Sequence, residues 1–367
     1  MKLIHCADLH LDAKMTALLD PEQAKERRAE ILQTFLRMVD YAEKEGVQAI
    51  LICGDLFDRR KISAMARNTV LKTIVGHPEI SFFYITGNHE QDGFLESIQE
   101  KPDNLKLFGK NWKTYEAGPL AITGADPGDG TALDLCRSLV LDPSCFNIVM
   151  LHGQITEYGT SEAEEIPLRE LRGKPVDYLA LGHVHAYQEG TFPPRGTWCY
   201  PGCLEGRGFD ECGEHGFVLL DIDTEQHRFT KRFIPLAQRR FLEIPVDITG
   251  CLTTPEIAVR IEETIRELRQ QGYAKDDLWK LILCGVTDIA CEKEVVYLQK
   301  RFSAASYYVR VEDATRLVVD YSGYARDASL KGEFVRQVEM AAELDEQEKA
   351  AIIRCGIQAL SGEELTI

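Results

Sequence analysis

Five apolar runs in the first half of the chain each lead into a short block of Asp, Asn or His. Lys2 to His5 precedes Asp8-Leu9-His10, and Val47 to Cys53 precedes Gly54-Asp55-Leu56-Phe57-Asp58-Arg59. Ile80 to Thr86 precedes Gly87-Asn88-His89-Glu90, Phe146 to Leu151 precedes His152-Gly153, and Val176 to Leu181 precedes Gly182-His183-Val184-His185. Continuous apolar runs of this kind read as strands buried on both faces. Helical patterns separate the first three. Leu32, Phe35, Leu36, Val39 and Ala42 recur at three- and four-residue steps, between an N-cap at Asp20 with Pro21 behind it and a stop at Gly46. A second helix is expected over Ser63 to Val75. Strand–helix–strand alternation restricts the chain to a largely parallel sheet packed by helices. The polar blocks fall at strand ends, the edge where layered α/β folds build their sites.

Beyond this alternation the pattern changes. Short strands and turns are expected between Trp112 and Asp126, with a surface loop at 125–130. Residues 190–240 read as a second, more antiparallel sheet packed on the first, closing a domain over 1–240. From Phe241 a β-α-β-α-β-β order begins, with Thr254 as a helix cap and Ile257, Ile261, Ile265 and Leu268 on one helix face. It reads as a small α+β domain over 241–325. A helical tail follows over 326–367, with Asp345 and Glu348 placed as a capping box.

The chain has 367 residues, 44% apolar and 28% charged, ordinary for a globular protein. No window approaches the ~18 consecutive apolar residues of a membrane span. Met1-Lys2-Leu3-Ile4-His5 reads as a first strand and not as a signal peptide. A cytoplasmic protein is expected. The eleven cysteines contain no C-x-x-C pair and read as reduced thiols. A zinc site through Cys199, Cys203 and Cys212 is the weaker alternative. A net charge of −17 argues against tight autonomous binding of nucleic acid.

Seven residues of the polar blocks have the chemistry of metal ligands: Asp8, His10, Asp55, Asn88, His152, His183 and His185. Asp8 and His10 are two apart, as are His183 and His185, so an extended backbone sends each pair to one face. A carboxylate such as Asp55 can bridge two cations. Two divalent ions bring about four positive charges, of which Asp8 and Asp55 cancel about two, so the site attracts phosphate even on an acidic protein. Ions of this kind also acidify water enough to give a nucleophile at neutral pH.

The blocks D-x-H, G-D-x-x-D-R, G-N-H-E, H and G-H-x-H, in this order, resemble the calcineurin-like metallophosphoesterase superfamily. His5-Cys6-Ala7-Asp8-Leu9-His10, Cys53 to Arg59, Asp177 to His185 and Tyr200 to Arg207 resemble its DNA repair exonuclease branch, the SbcD-like nucleases. The superfamily pattern covers residues 1 to about 220, and the domain after 240 is similar to that branch's capping domain. The resemblance implies a layered β-sandwich flanked by helices, with a small α+β capping domain and a helical tail. It implies that Asp8, His10, Asp55 and His185 hold one ion, and Asp55, Asn88, His152 and His183 the other. His89 becomes the catalytic imidazole beside the scissile phosphate, and Asp58 the acid that orients it; some double-strand-break nucleases of the branch carry His at that position. Arg59 contacts phosphate or braces its loop. Arg207 touches the substrate backbone or sits in a surface ion pair.

The expected activity is metal-dependent hydrolysis of DNA phosphodiesters, as exonuclease or endonuclease, in DNA repair. Manganese is the expected metal, with iron or zinc as alternatives. The resemblance also implies a homodimer and an SMC-like coiled-coil ATPase subunit, SbcC-like, docking on the tail helices. The alternative is a metallophosphoesterase acting on nucleotides or other small phosphoesters, which the same centre would serve.

Overall fold

The computed structural model describes residues 1–15, 19–58, 62–87, 94–98, 100–126, 132–158, 165–319 and 321–361. Met1–Arg240 and Phe241–Ile367 form two compact units.

The first unit runs β1 (Lys2–Cys6), α1 (Pro21–Glu45), β2 (Ala49–Cys53), α2 (Ala64–Gly76), β3 (Ser81–Ile85), β4 (Leu105–Leu107), β5 (Lys113–Ala117) and β6 (Leu120–Gly124). It continues with α3 (Ala132–Ser138), β7 (Phe146–His152), β8 (Gln154–Thr156), β9 (Glu165–Pro167), α4 (Leu168–Leu171) and β10 (Tyr178–Gly182). Strands β11 (Gln188–Phe192), β12 (Gly196–Tyr200), β13 (Gly216–Asp223) and β14 (Arg228–Pro235) complete it.

Two six-stranded sheets result, in the orders β14-β13-β1-β2-β3-β4 and β11-β12-β10-β7-β6-β5. Leu3, Leu51 and Ile85 of the first sheet meet Phe146, Ile148, Tyr178 and Ala180 of the second in one buried layer. The outer face of the first sheet packs Ile4, Ile50 and Phe82 against Ile31, Phe35 and Val39 of α1 and Val70 and Ile74 of α2. The outer face of the second packs Val149, Leu151 and Leu179 against Cys136, Leu168 and Leu171. The architecture is therefore a β-sandwich flanked by helices. Strands β1, β2 and β3 are parallel, and so are β7 and β10, so their carboxyl ends share an edge within each sheet.

Helix α1 has the ends its sequence predicts. The Asp20 carboxylate accepts from the Glu22 and Gln23 backbone N–H groups, both at 2.9 Å, and Gly46 takes the left-handed φ of 66°. The expectation for 190–240 needs correction. These residues do not form a sheet of their own. Strands β11 and β12 extend the second sheet, with β12 parallel to β10, whereas β13 and β14 join the first beside β1. Apolar alternation reports that a strand is half-buried, not which sheet it enters. The surface loop expected at 125–130 lies outside the described residues over 127–130.

The second unit runs β15 (Phe241–Asp247), α5 (Thr254–Gln270), β16 (Leu278–Cys284), β17 (Val286–Asp288), α6 (Val295–Phe302), β18 (Tyr308–Asp313) and β19 (Arg316–Val318). Helices α7 (Tyr321–Tyr324), α8 (Leu330–Glu339) and α9 (Glu346–Ser361) follow. Strands β15, β16 and β18 form a parallel sheet, with Trp279, Leu281 and Val309 packed on Ile257, Ile261, Leu298 and Phe302. The cap of α5 is Thr253, one residue before the expected Thr254. Glu256 accepts from the backbone N–H groups of Leu252 and Thr253 at 2.8 and 3.0 Å, while the Thr254 hydroxyl donates to the Glu292 carbonyl. At α9 the capping box is formed: Asp345 N–H donates to Glu348, and Glu348 N–H donates to Asp345, both at 2.9 Å. The tail is not a free arm. Val335 and Val338 of α8 and Ala350 and Ile353 of α9 bury themselves with Val319 and Leu317. Among the described residues no helix is long and apolar enough to cross a membrane.

Candidate metal centre

Past the ends of β1 and β2 the two segments stay together. Asp8 N–H donates to the Gly54 carbonyl at 3.2 Å, His10 N–H to Asp55 at 2.9 Å and Leu11 N–H to Leu56 at 2.9 Å. The backbone there is not extended, which corrects the two-residue argument for Asp8 and His10. Asp8, His10, Asp55 and His183 all have positive φ, at 51°, 44°, 49° and 105°. Left-handed backbone at non-glycine residues costs about 1–3 kcal/mol each and persists where the surroundings enforce it. Four such residues at strand ends convert a flat edge into a cup. Two glycines let its walls close. A Cβ on Gly54 would lie 2.1 Å from His152 Nδ1, and one on Gly87 would lie 2.0 Å from Asp55 Oδ1.

Asp8, Asp55, His10 and His152 are all buried. Ligand-type atoms of Asp8, His10 and His185 lie within 4.8 Å of one another, as do those of Asp8, Asp55 and His152. The groups share Asp8. Asp55 Oδ2 lies 3.9 Å from His10 Nε2 and 3.6 Å from His152 Nε2, between the imidazoles of the two groups. His183 enters from the side, its ring edge-on to His152 at 5.5 Å and its backbone N–H 3.0 Å from both Asp8 carboxylate oxygens. Asn88, His89 and Arg59 lie outside the described residues. No cysteine enters either group. Cys199 and Cys203 are buried and Cys212 is exposed, its thiol donating to the Phe209 carbonyl.

The donor set fits divalent cations. Burial, reinforced by the charge of Asp55, pushes the Asp8 carboxyl up to about 8. Burial also pulls His10 and His152 down. Without a positive charge this cup would hold a protonated Asp8 and neutral His10 and His152 at pH 7. A cation restores the carboxylate, and neutral imidazoles are the form that ligates. The ring nitrogens facing away from the cup are engaged. His152 Nδ1 lies 2.9 Å from the Cys53 carbonyl, so it carries the proton and leaves Nε2 on the Asp55 side.

Two residues expected at the site prove to be linked. Asp58 Oδ1 lies 3.2 Å from His10 Nδ1 and 3.4 Å from Arg207 Nη1. Arg207, 20% exposed, also pairs with Glu211 at 2.8 Å. Glu211 was not anticipated. Its carboxylate lies 2.7 Å from His185 Nδ1 and accepts the Arg207 backbone N–H at 2.8 Å. Burial alone would raise its pKa, but the bonds from His185 and Arg207 outweigh burial and hold it well below the usual range. For His185 burial pulls down, while Glu211 and Asp8 pull up more strongly. Only its spacing four residues after Arg207 marks Glu211 in the sequence. His5 of β1 is buried between the sheets, with Nδ1 2.8 Å from Tyr178 Oη and Nε2 3.1 Å from the Leu181 carbonyl.

Residues 1–187, just over half of the chain, match the family model for calcineurin-like phosphoesterases. The chain belongs to that family. It is thus a phosphoester hydrolase of a family that uses a dimetal centre, and both ligand-type groups, Asp8 with His10 and His185 and Asp8 with Asp55 and His152, lie within the matched residues. Among curated relatives, this phosphoesterase is 28% identical over 287 residues to the uncharacterized metallophosphoesterase YhaO of Bacillus subtilis, covering 74% of this chain and 69% of that one. It is 28% identical over 306 residues to the DNA double-strand break repair protein Mre11 of Sulfurisphaera tokodaii, covering 77% and 73%. With the Mre11 of Methanosarcina acetivorans it shares 24% over 269 residues, covering 68% of this chain but 41% of that one.

Proposed function

We propose that this phosphoesterase is a nuclease that hydrolyses DNA phosphodiester bonds at a centre of two divalent ions, with manganese the metal and iron or zinc the alternatives. In this reading Asp8, His10, Asp55 and His185 hold one ion, and Asp55, Asn88, His152 and His183 the other. The observation that carries it is the pair of overlapping ligand groups around Asp8, with Asp55 lying between their imidazoles. Such ions, when bound, supply a positive field for phosphate and water acidified to act near neutral pH. The chain's own groups do the rest. Asp8 and Asp55 cancel only part of the positive charge. The neutral imidazoles add none of either sign. His89, two positions after Gly87 in the sequence, stabilises charge at the scissile phosphate or protonates the leaving oxygen. Arg59, next to Asp58 in the sequence, is a phosphate contact.

DNA as the substrate is supported by the relatives named for double-strand break repair. A net charge of −17 fits a nuclease that owes part of its affinity to another subunit. An SMC-like coiled-coil ATPase is that partner in this reading, and a homodimer is the form of the nuclease subunit. The eleven free thiols fit a cytoplasmic setting.

The test is hydrolysis of end-labelled duplex and single-stranded DNA with Mn²⁺. The wild type should shorten the label-bearing strand, and His89→Ala should slow it by about 10²–10⁴-fold. Rapid turnover of nucleotides with both DNAs intact would contradict the nuclease reading and favour the small-phosphoester alternative.

A further inference from the structure

The imidazole of His185 turns one nitrogen toward the centre and the other away from it. Nε2 lies 3.2 Å from His10 Nε2, inside the group formed with Asp8. Nδ1 lies 2.7 Å from Glu211 Oε1. Arg207 Nη2 also lies 3.1 Å from this nitrogen, but it donates over the shorter distance of 2.8 Å to Glu211 Oε1; the carboxylate at 2.7 Å accepts and cannot donate, so it puts the ring proton on Nδ1 and leaves the Nε2 lone pair facing Asp8 and His10. Glu211 also accepts from Arg207, through the backbone N–H at 2.8 Å and the guanidinium at 2.8 Å. The other end of that guanidinium reaches Asp58, 3.4 Å away. Asp58 in turn stands 3.2 Å from His10 Nδ1, on the side of that ring away from His185. The outward nitrogens of both imidazoles therefore end on one connected chain, Glu211–Arg207–Asp58.

A surface ion pair would not look like this. Glu211 is 7% exposed. Its backbone carbonyl accepts from His215 Nε2 at 2.9 Å, which leaves His215 Nδ1 to accept from the Cys203 thiol at 3.2 Å. A buried thiol and a buried imidazole thus fix the segment that carries the carboxylate.

We propose that Glu211 is a positioning residue that sets the ring proton of His185 and, through Arg207 and Asp58, that of His10, and so governs binding of the ion these imidazoles face. This rests on the reading that Asp8, His10 and His185 hold an ion. It gives Asp58 a role behind His10, apart from any role beside His89.

Two measurements test it on the full chain. Long-range ¹H–¹⁵N spectra of the metal-free wild type, taken where the ring is neutral and assigned with His185→Gln, should show His185 protonated on Nδ1. Calorimetric titration with Mn²⁺ should show two binding events in the wild type. In Glu211→Gln one should weaken by about 10–100-fold, the usual effect of losing a ligand's hydrogen-bond partner, while the other stays unchanged. An Nε2-protonated His185 would overturn the proposal, and the spectra need no variant of Glu211 to fold. Wild-type affinity for both ions in Glu211→Gln would overturn it while leaving the metal reading intact. A wild type that takes up no Mn²⁺ would overturn the metal reading itself.

Discussion

At the residue scale, the centre depends on backbone that ordinary side chains avoid. Asp8, His10, Asp55 and His183 accept left-handed φ so that their side chains converge, and Gly87 lies where a methyl group would strike Asp55. Gly87→Ala should displace the Asp55 carboxylate and lower kcat by about 10²-fold or more, the scale of a misplacement near 1 Å. Steady-state kinetics beside a melting curve checks this, and unchanged kcat would contradict it. His5 gives a second prediction. Burial between the sheets lowers its pKa to about 3. The unfolded chain therefore binds a proton near pH 6.5 that the folded chain refuses, so the neutral ring favours the fold above pH 6.5 and that stability drains away as pH falls toward 3. By pH 5 the loss is about 2 kcal/mol. Urea unfolding of the wild type and His5→Gln should show a stability difference that shrinks by that amount between pH 7.5 and 5.

The same residues show what the sequence made legible. Asp8, His10, Asp55, His152 and His185 could be picked out because rare residue types recurred after apolar runs in a fixed order. Their convergence could not be derived from spacing, since the extended geometry assumed for Asp8 and His10 is absent. Glu211 escaped because a spacing of four residues from Arg207 does not single out one acid among fifty-nine until folding puts it behind His185.

At the scale of elements, α1 is fastened to the turn that leads to Arg207. Arg27 on α1 is fully buried and donates to Glu205 at 3.0 Å and to the Gly206 carbonyl at 3.1 Å. Thr34, also on α1, donates to Glu205 at 2.6 Å, and Arg239 joins through Glu30. Arg27→Ala strands a buried carboxylate and should cost about 3–5 kcal/mol. Removing Glu205 as well should restore part of that, which a double-mutant cycle by urea unfolding measures; additive losses would mean the two do not interact. The caps and length of α1 were readable because Asp20, Pro21 and Gly46 act locally. A buried arginine on its apolar face was not, because its partner lies 178 residues away. Sheet membership of β11 to β14 failed for a related reason: pairing is decided by distant strands, whereas alternation is local.

At the scale of the molecule, the two units divide at Arg240, and the tail helices share a core with the second. Their outward residues are what a partner could reach: Leu330, Met340 and Ile352 are exposed. If an SMC-like ATPase docks there, Met340→Glu with Ile352→Glu should weaken co-purification of that subunit by tenfold or more. The melting temperature should stay within a few degrees, since neither residue belongs to the buried cluster. Equal recovery of the subunit would remove the tail from the interface. The charge of −17 argues against tight autonomous DNA binding, but not against local attraction of phosphate, because ions held in the cup would set the field there whatever the composition.

The central claim is a two-ion centre built around Asp8 and Asp55, and anomalous diffraction at the manganese edge from crystals grown with Mn²⁺ tests it most directly. Two peaks are predicted, about 3.5–4 Å apart, one against His10 and His185 and the other against His152 and His183, with both lost in Asp8→Asn. A single peak, or peaks away from these side chains, would contradict the account.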